Sequence, residues 1–177
     1  MNQSPIRYER AVMEDVPAIV KIIQTAKDGI AAEDWYVAVN EDFVRENVEQ
    51  RGFIVKAMSE DTIAGFLLVH YPMDDEDNMG AYLQLDKVER RKVAHMDTAC
   101  VLPAYRGMHL QQTLLEEGER ILKTTAYRYS MATVHPDNRY SLRNLLAAGY
   151  SVVTTVPKYG GLLRHVVCKD VIKTWSV

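Results

Sequence analysis

Apolar residues recur along this chain with two different spacings, and each change of spacing marks a new element. Ile6–Ala11 sets apolar against charged side chains at alternate positions, the pattern of a half-buried strand. From Glu14 to Ala26 the spacing becomes helical through Ile19, Ile22, Ile23 and Ala26. Pro17 suits the first turn of that helix, where an N–H has no partner in any case. Asp28–Asn40 is polar and aromatic, and a short helix is predicted over Glu41–Gln50. Phe53–Met58 and Ile63–Tyr71 flank Ser59-Glu60-Asp61-Thr62 and predict an antiparallel hairpin closed by Pro72.

After Pro72 come an acidic run over Asp74–Asn78, a short predicted strand at Tyr82–Leu85 and a basic run over Glu89–Lys92, together a solvated excursion. Val93–Val101 predicts a strand, Pro103 stops it, and Gly107 precedes a helix with a buried stripe of Leu110, Leu114 and Ile121. Ser130–Val134 is the next strand. His135-Pro136-Asp137-Asn138 then supplies a turn and an N-cap for a helix through Leu142, Leu145 and Leu146, ended at Gly149. Ser151–Val156 and Leu162–Cys168 predict a terminal antiparallel pair around Pro157–Gly161. No repeat or low-complexity tract divides the chain, so residues 1–177 are read as a single domain. The order of elements predicts an α/β (α+β) fold: a mixed, mostly antiparallel central sheet of about six or seven strands flanked by about four helices.

Composition narrows the function. The chain is 47% hydrophobic and 25% charged, which fits a globular core. With 24 acidic and 21 basic residues its net charge is −3, so nothing draws it to nucleic acid or an anionic membrane. Apolar runs such as Ile63–Val69 are too short to span a bilayer, and the first residues lack an apolar signal core. Cys100 and Cys168 lie far apart in apolar sequence and read as buried thiols of a reducing compartment, with no metal-ligand spacing. A cytoplasmic location is expected.

Candidate chemistry concentrates in Val101-Leu102-Pro103-Ala104-Tyr105-Arg106-Gly107-Met108-His109-Leu110-Gln111, where a strand turns tightly into a helix. The first N–H groups of a helix have no internal acceptors, and the helix dipole adds positive potential there, so such a turn cradles anions. Arg106 adds a guanidinium suited to phosphate, and Gly107 permits close approach to the backbone.

These residues resemble the GNAT superfamily of N-acetyltransferases, whose signature is Val-x-Pro-x-Tyr-Arg-Gly-x-Gly-x-Gly/Ala. Val101, Pro103, Tyr105, Arg106 and Gly107 match it in register, whereas His109 and Gln111 stand where the family has glycine and glycine or alanine. Ser130–Val134, Asn138, Ser141 and Gly149-Tyr150 are similar to the second half of the family's cofactor region. The resemblance implies splayed parallel central strands and acetyl-CoA as acyl donor, with no metal. It implies cofactor contacts from Ala99, Cys100, Val101, Arg106, Gly107, Met108, His109, Leu110, Gln111, Asn138 and Ser141, with pantetheine adding to the strand edge near Cys100 and Val101. Asn138 reads first as a plain helix N-cap, a role compatible with a cofactor contact, and Cys100 as a small buried strand residue rather than a covalent acyl carrier.

An amine acceptor needs a base. Alternation places His95, Asp97, Ala99 and Val101 on one strand face, and family members often carry the base four or six residues before that valine, the places of Asp97 and His95. His95, titrating near neutrality, is ranked first, with Asp97 orienting it or holding the substrate ammonium; a hydrogen-bonded pair without a catalytic task is the competing reading. The family's usual acid, a tyrosine, is replaced by Leu145, leaving Tyr105, Tyr140, Tyr150 and Tyr159 as other hydroxyls. Glu33, Asp34, Trp35 and Tyr36 are candidate acceptor contacts, or a solvated loop. The expected function is acetyl transfer from acetyl-CoA to a primary amine of a small molecule or peptide. The rival is a non-catalytic acyl-coenzyme A-binding or sensing module, and a homodimer is compatible with either.

Overall fold

Alternating apolar residues pair into strands, and the helical stripes cover them from both sides. The computed structural model describes residues 5–29 and 35–172. Strands β1 (Ile6–Arg10), β2 (Gly52–Ser59), β3 (Thr62–His70), β4 (Val93–Val101), β5 (Tyr129–Val134), β6 (Ser151–Lys158) and β7 (Leu162–Asp170) form a seven-stranded sheet in the order β1-β2-β3-β4-β5-β7-β6. All neighbours are antiparallel except β4 and β5. The helices are α1 (Val16–Asp28), α2 (Glu41–Glu49), α3 (Lys87–Arg90), α4 (Leu110–Leu122) and α5 (Arg139–Ala147). No described helix is long and apolar enough to cross a membrane.

β2 and β3 are buried on both faces, so their sequences run almost continuously apolar. On one face Phe53, Val55, Leu67, Val69, Ala94 and Met96 pack beneath Leu110, Leu114, Leu115 and Leu122 of α4. On the other, Ile54, Phe66, Leu68 and Cys100 meet Val16, Ile19, Ile22 and Ile23 of α1 and Val44 of α2. Gly118 brings α4 onto the sheet: a Cβ there would lie 2.7 Å from Leu67 Cδ2.

Two irregularities in β4 create the site. Its parallel pairing with β5 covers only Val93↔Tyr129, Ala94↔Ser130 and His95↔Met131, after which the strands diverge. The ladder with β3 pairs Val69 with Met96 and Leu68 with Thr98, so Asp97 is an extra residue, a β-bulge. The bulge reverses the alternation. Ala94 and Met96 share the α4 face with Ala99 and Val101, while His95 lies with Val93 and Cys100 toward the opposite side. The expected common face for His95, Asp97, Ala99 and Val101 is therefore corrected.

Other expectations shift for local reasons. Tyr82–Leu85 is not a strand: both neighbours of β4 are already taken, and Met79–Leu83 forms a 3₁₀ turn whose Asn78 side chain accepts from Gly80 N at 2.9 Å. The basic run starts within α3, which Asp86 caps by accepting from Glu89 N, and its Arg91 and Lys92 follow the helix. Leu145 is buried but Leu146 is exposed, and near the end of α4 Leu122 is fully buried while Ile121 is only partly so. Pro157 belongs to β6, where an edge position tolerates the missing N–H.

Candidate active site

The turn into α4 is built as the sequence suggests. Pro103–Tyr105 makes a 3₁₀ turn, Arg106 is extended, and Gly107 has φ 81°. Thr113 N donates to His109 O at 3.1 Å to close the first turn of α4, and no side chain caps the amides ahead of it. They are available to an anion. His109 takes φ 58°, the left-handed conformation that explains a glycine preference at this place; its side chain is accommodated at a cost in backbone strain. Gln111, the other bulky departure, is held against α5: Asn144 Nδ2 donates to Gln111 Oε1 at 3.0 Å, and Gln111 Nε2 donates to Ser141 Oγ at 3.4 Å. Asn138 caps α5 by accepting from Ser141 N at 3.1 Å.

A cleft of about 650 Å³ runs from this turn through the gap between β4 and β5. Of the expected residues, Asp97, Ala99, Cys100 and Val101 line it from β4, and Arg106, Gly107, His109, Leu110 and Gln111 line it from the turn. Asn138 and Ser141 join from α5, and Trp35 and Tyr36 from the segment before α2. Trp35 stacks on His135, ring centroids 5.9 Å apart, and Tyr36 Oη is 3.4 Å from Cys100 Sγ. Met108 does not line the cleft; it packs against the core beside α4. Glu33 and Asp34 lie outside the described residues. His95 faces instead a side chamber of about 40 Å³, which Asp97 also lines.

A model of the Acetyltransferase (GNAT) family matches residues 17–150. The chain belongs to this family. Its fold is shared with yncA from Salmonella typhimurium, described with its cofactor acetyl-CoA, at 18% identity and TM-score 0.71 over 98% of each chain. It is shared too with the ribosomal-protein-S18-alanine N-acetyltransferase from Escherichia coli, at 15% identity and TM-score 0.70 over 96% of each chain. An N-acetyltransferase from Staphylococcus aureus Mu50 matches at 17% identity and TM-score 0.70, over 95% of this chain and 99% of its own. At these identities the likeness is one of fold. No curated protein matches the sequence.

The electrostatics of this acetyltransferase separate the two candidate bases. His95 is buried, Met79 N donates to its Nε2 at 3.1 Å, and desolvation pushes its pKa down to about 3, helped by the charges of His70 and Lys158. Its basic nitrogen is already occupied. Asp97 is solvent-accessible from the cleft, whose walls nevertheless limit the water around its carboxyl. Desolvation pushes its pKa up to about 6, opposed by a 2.9 Å hydrogen bond from Thr98 Oγ1 and aided by Asp77.

Cys100 is a buried free thiol pushed up to about 11 by desolvation, hence protonated at neutral pH. Cys168 is free and half-buried. Tyr105, Tyr140 and Tyr159 line the cleft, whereas Tyr150 is buried with Ser130, their hydroxyls 2.6 Å apart. Thr133 and Arg164 are lining residues that the sequence reading missed. Arg164 carried a signal, a charged residue inside an apolar strand, and it is buried beneath the cleft. Among the described residues no group of three or more His, Cys, Asp or Glu is arranged to hold a metal ion.

Proposed function

We propose that this acetyltransferase moves the acetyl group of acetyl-CoA onto a primary amine of a small molecule or peptide, by direct attack within a ternary complex. One observation carries the reading: the divergence of β4 from β5 puts the amide-rich turn before α4 and the Asp97 carboxyl in the same cleft. Acetyl-CoA supplies the activated thioester. The amides of residues 107–111 and the Arg106 guanidinium hold its diphosphate, a fit helped by Gln111 being tied to α5. The β4 edge from Ala99 to Val101, unpaired on the β5 side, takes the pantetheine as an added strand and polarises the carbonyl with its amides.

Asp97 accepts the amine proton, because it reaches the cleft and His95 does not. His95 keeps the Met79 turn packed against β4. The departing thiolate is protonated from solvent, since Leu145 offers no hydroxyl at the family's acid position. That same leucine favours the rival reading, a non-catalytic acyl-coenzyme A binder.

Two measurements decide. Calorimetry with acetyl-CoA should show uptake at millimolar ligand or below, and an amine panel should release free thiol with an acetylated product. Uptake without thiol release selects the binding module; no uptake by folded protein removes both readings. Gly107→Val forces a β-branched residue to positive φ without any steric contact to blame, and is expected to weaken acetyl-CoA binding about tenfold. Unchanged affinity would place the diphosphate elsewhere.

A further inference from the structure

The side chamber behind Asp97 holds charges that proton removal alone does not require. It is lined by Asp77, His95, Asp97, Thr133, Lys158 and Tyr159 among others, and shares Asp97, Thr133 and Tyr159 with the cleft. At about 40 Å³ it exceeds the space of one water, so it admits a small polar group reaching in from the cleft. Lys158 ends β6 and turns its ammonium here, 5.5 Å from the Tyr82 ring centroid and 5.6 Å from that of Tyr159. Among the described residues that ammonium has no hydrogen bond and no ion pair; the two rings are its company. A cation held by aromatic faces in a partly enclosed chamber is still poised for an anion, because ring faces supply less than a carboxylate does.

Both signs therefore lie within one small space. Asp97, with Asp77 behind it, attracts an ammonium, and Lys158 attracts a carboxylate. A diamine would set its second cation against Lys158, and a peptide N-terminus carries an amide where a carboxylate is wanted. An acceptor with amine and carboxylate on one carbon offers each wall its opposite charge.

We infer that the acceptor is a free α-amino acid, its amine at Asp97 and its carboxylate on the Lys158 ammonium. This rests on the acetyl-transfer reading above and names the substrate class for that site. Lys158 is a specificity-determining residue that touches the acceptor, and Tyr82 and Tyr159 hold its ammonium in place.

The test follows thiol release with acetyl-CoA and a panel of common L-α-amino acids, each beside its own α-amide, with a small diamine and a dipeptide amide as further acceptors. At least one free acid should exceed its amide by about tenfold or more in kcat/KM, as expected for a charge-assisted hydrogen bond. Lys158→Met should bring that ratio close to one, chiefly through KM, and Lys158→Arg should retain most of it, both with wild-type melting temperatures. Equal rates on acid and amide, or a ratio untouched in Lys158→Met, overturns the assignment. Turnover of the diamine or dipeptide amide without any free amino acid overturns the substrate class while acetyl transfer stands. No thiol release with any acceptor overturns the underlying reading as well.

Discussion

Replacing Asp97 by asparagine is expected to lower kcat/KM for acetyl transfer by a factor of about 10²–10⁴, the usual worth of a positioned general base. Asparagine keeps the shape and accepts from Thr98 but cannot take a proton. In the wild type kcat/KM should climb as pH rises through about 6, where Asp97 loses its proton, and in Asp97→Asn this limb should disappear. Stability should move the other way. The folded pKa lies above the ordinary carboxylate value, so the carboxyl costs nothing below that value, and its penalty grows from there until pH reaches about 6, where it levels off. At neutral pH the variant is therefore expected to be more stable, by about 1 kcal/mol once contact with cleft water is discounted, or roughly 2–4 °C in Tm. Activity and melting followed on one preparation check both; full turnover with an unchanged pH profile would take Asp97 out of the mechanism.

Lys169→Met is expected to be strongly destabilising. Lys169 Nζ donates to Glu119 Oε2 at 2.5 Å and to Ala148 O at 2.7 Å, joining β7 to α4 and to the end of α5. Glu119 is 4% exposed, so losing Lys169 leaves a buried carboxylate without its cation, at about 3–5 kcal/mol. For a chain of this size Tm falls by roughly 10 °C. Adding Glu119→Leu should recover most of the loss, because the cost belongs to the stranded charge and not to the missing pair. A denaturant or thermal cycle on the four proteins checks this. A double variant as unstable as Lys169→Met would show that the loss comes from the missing donor to Ala148 O and not from the stranded carboxylate.

Much of the architecture was legible because local spacing reports it. The hairpin of β2 and β3, the strand, turn and helix of β4 and α4, and the Asn138 cap follow from residues close together in sequence. Tyr82–Leu85 failed because its apolar residues fit a strand, while β3 and β5 already occupied both edges of β4. Leu146 failed for a related reason: a helical stripe locates a face only to within a residue, and contact with the sheet chooses the neighbour, Leu145. Arg164 and Thr133 were missed because only the pairing of β5 with β7 and the opening of β4 from β5 bring them to the cleft.

What the sequence determined alone is the turn with open amides: Pro103, Arg106 and Gly107 dictate a tight turn into a helix, and a helix start exposes its amides wherever it is placed. What only the tertiary structure decided is which side of β4 each residue serves. Strand alternation assigned His95 and Asp97 to one face, but pairing with β3 inserted Asp97 as a bulge, sending His95 into the protein and leaving Asp97 at the cleft. A bulge is a mismatch between two strands, so it has no signature within either strand taken by itself.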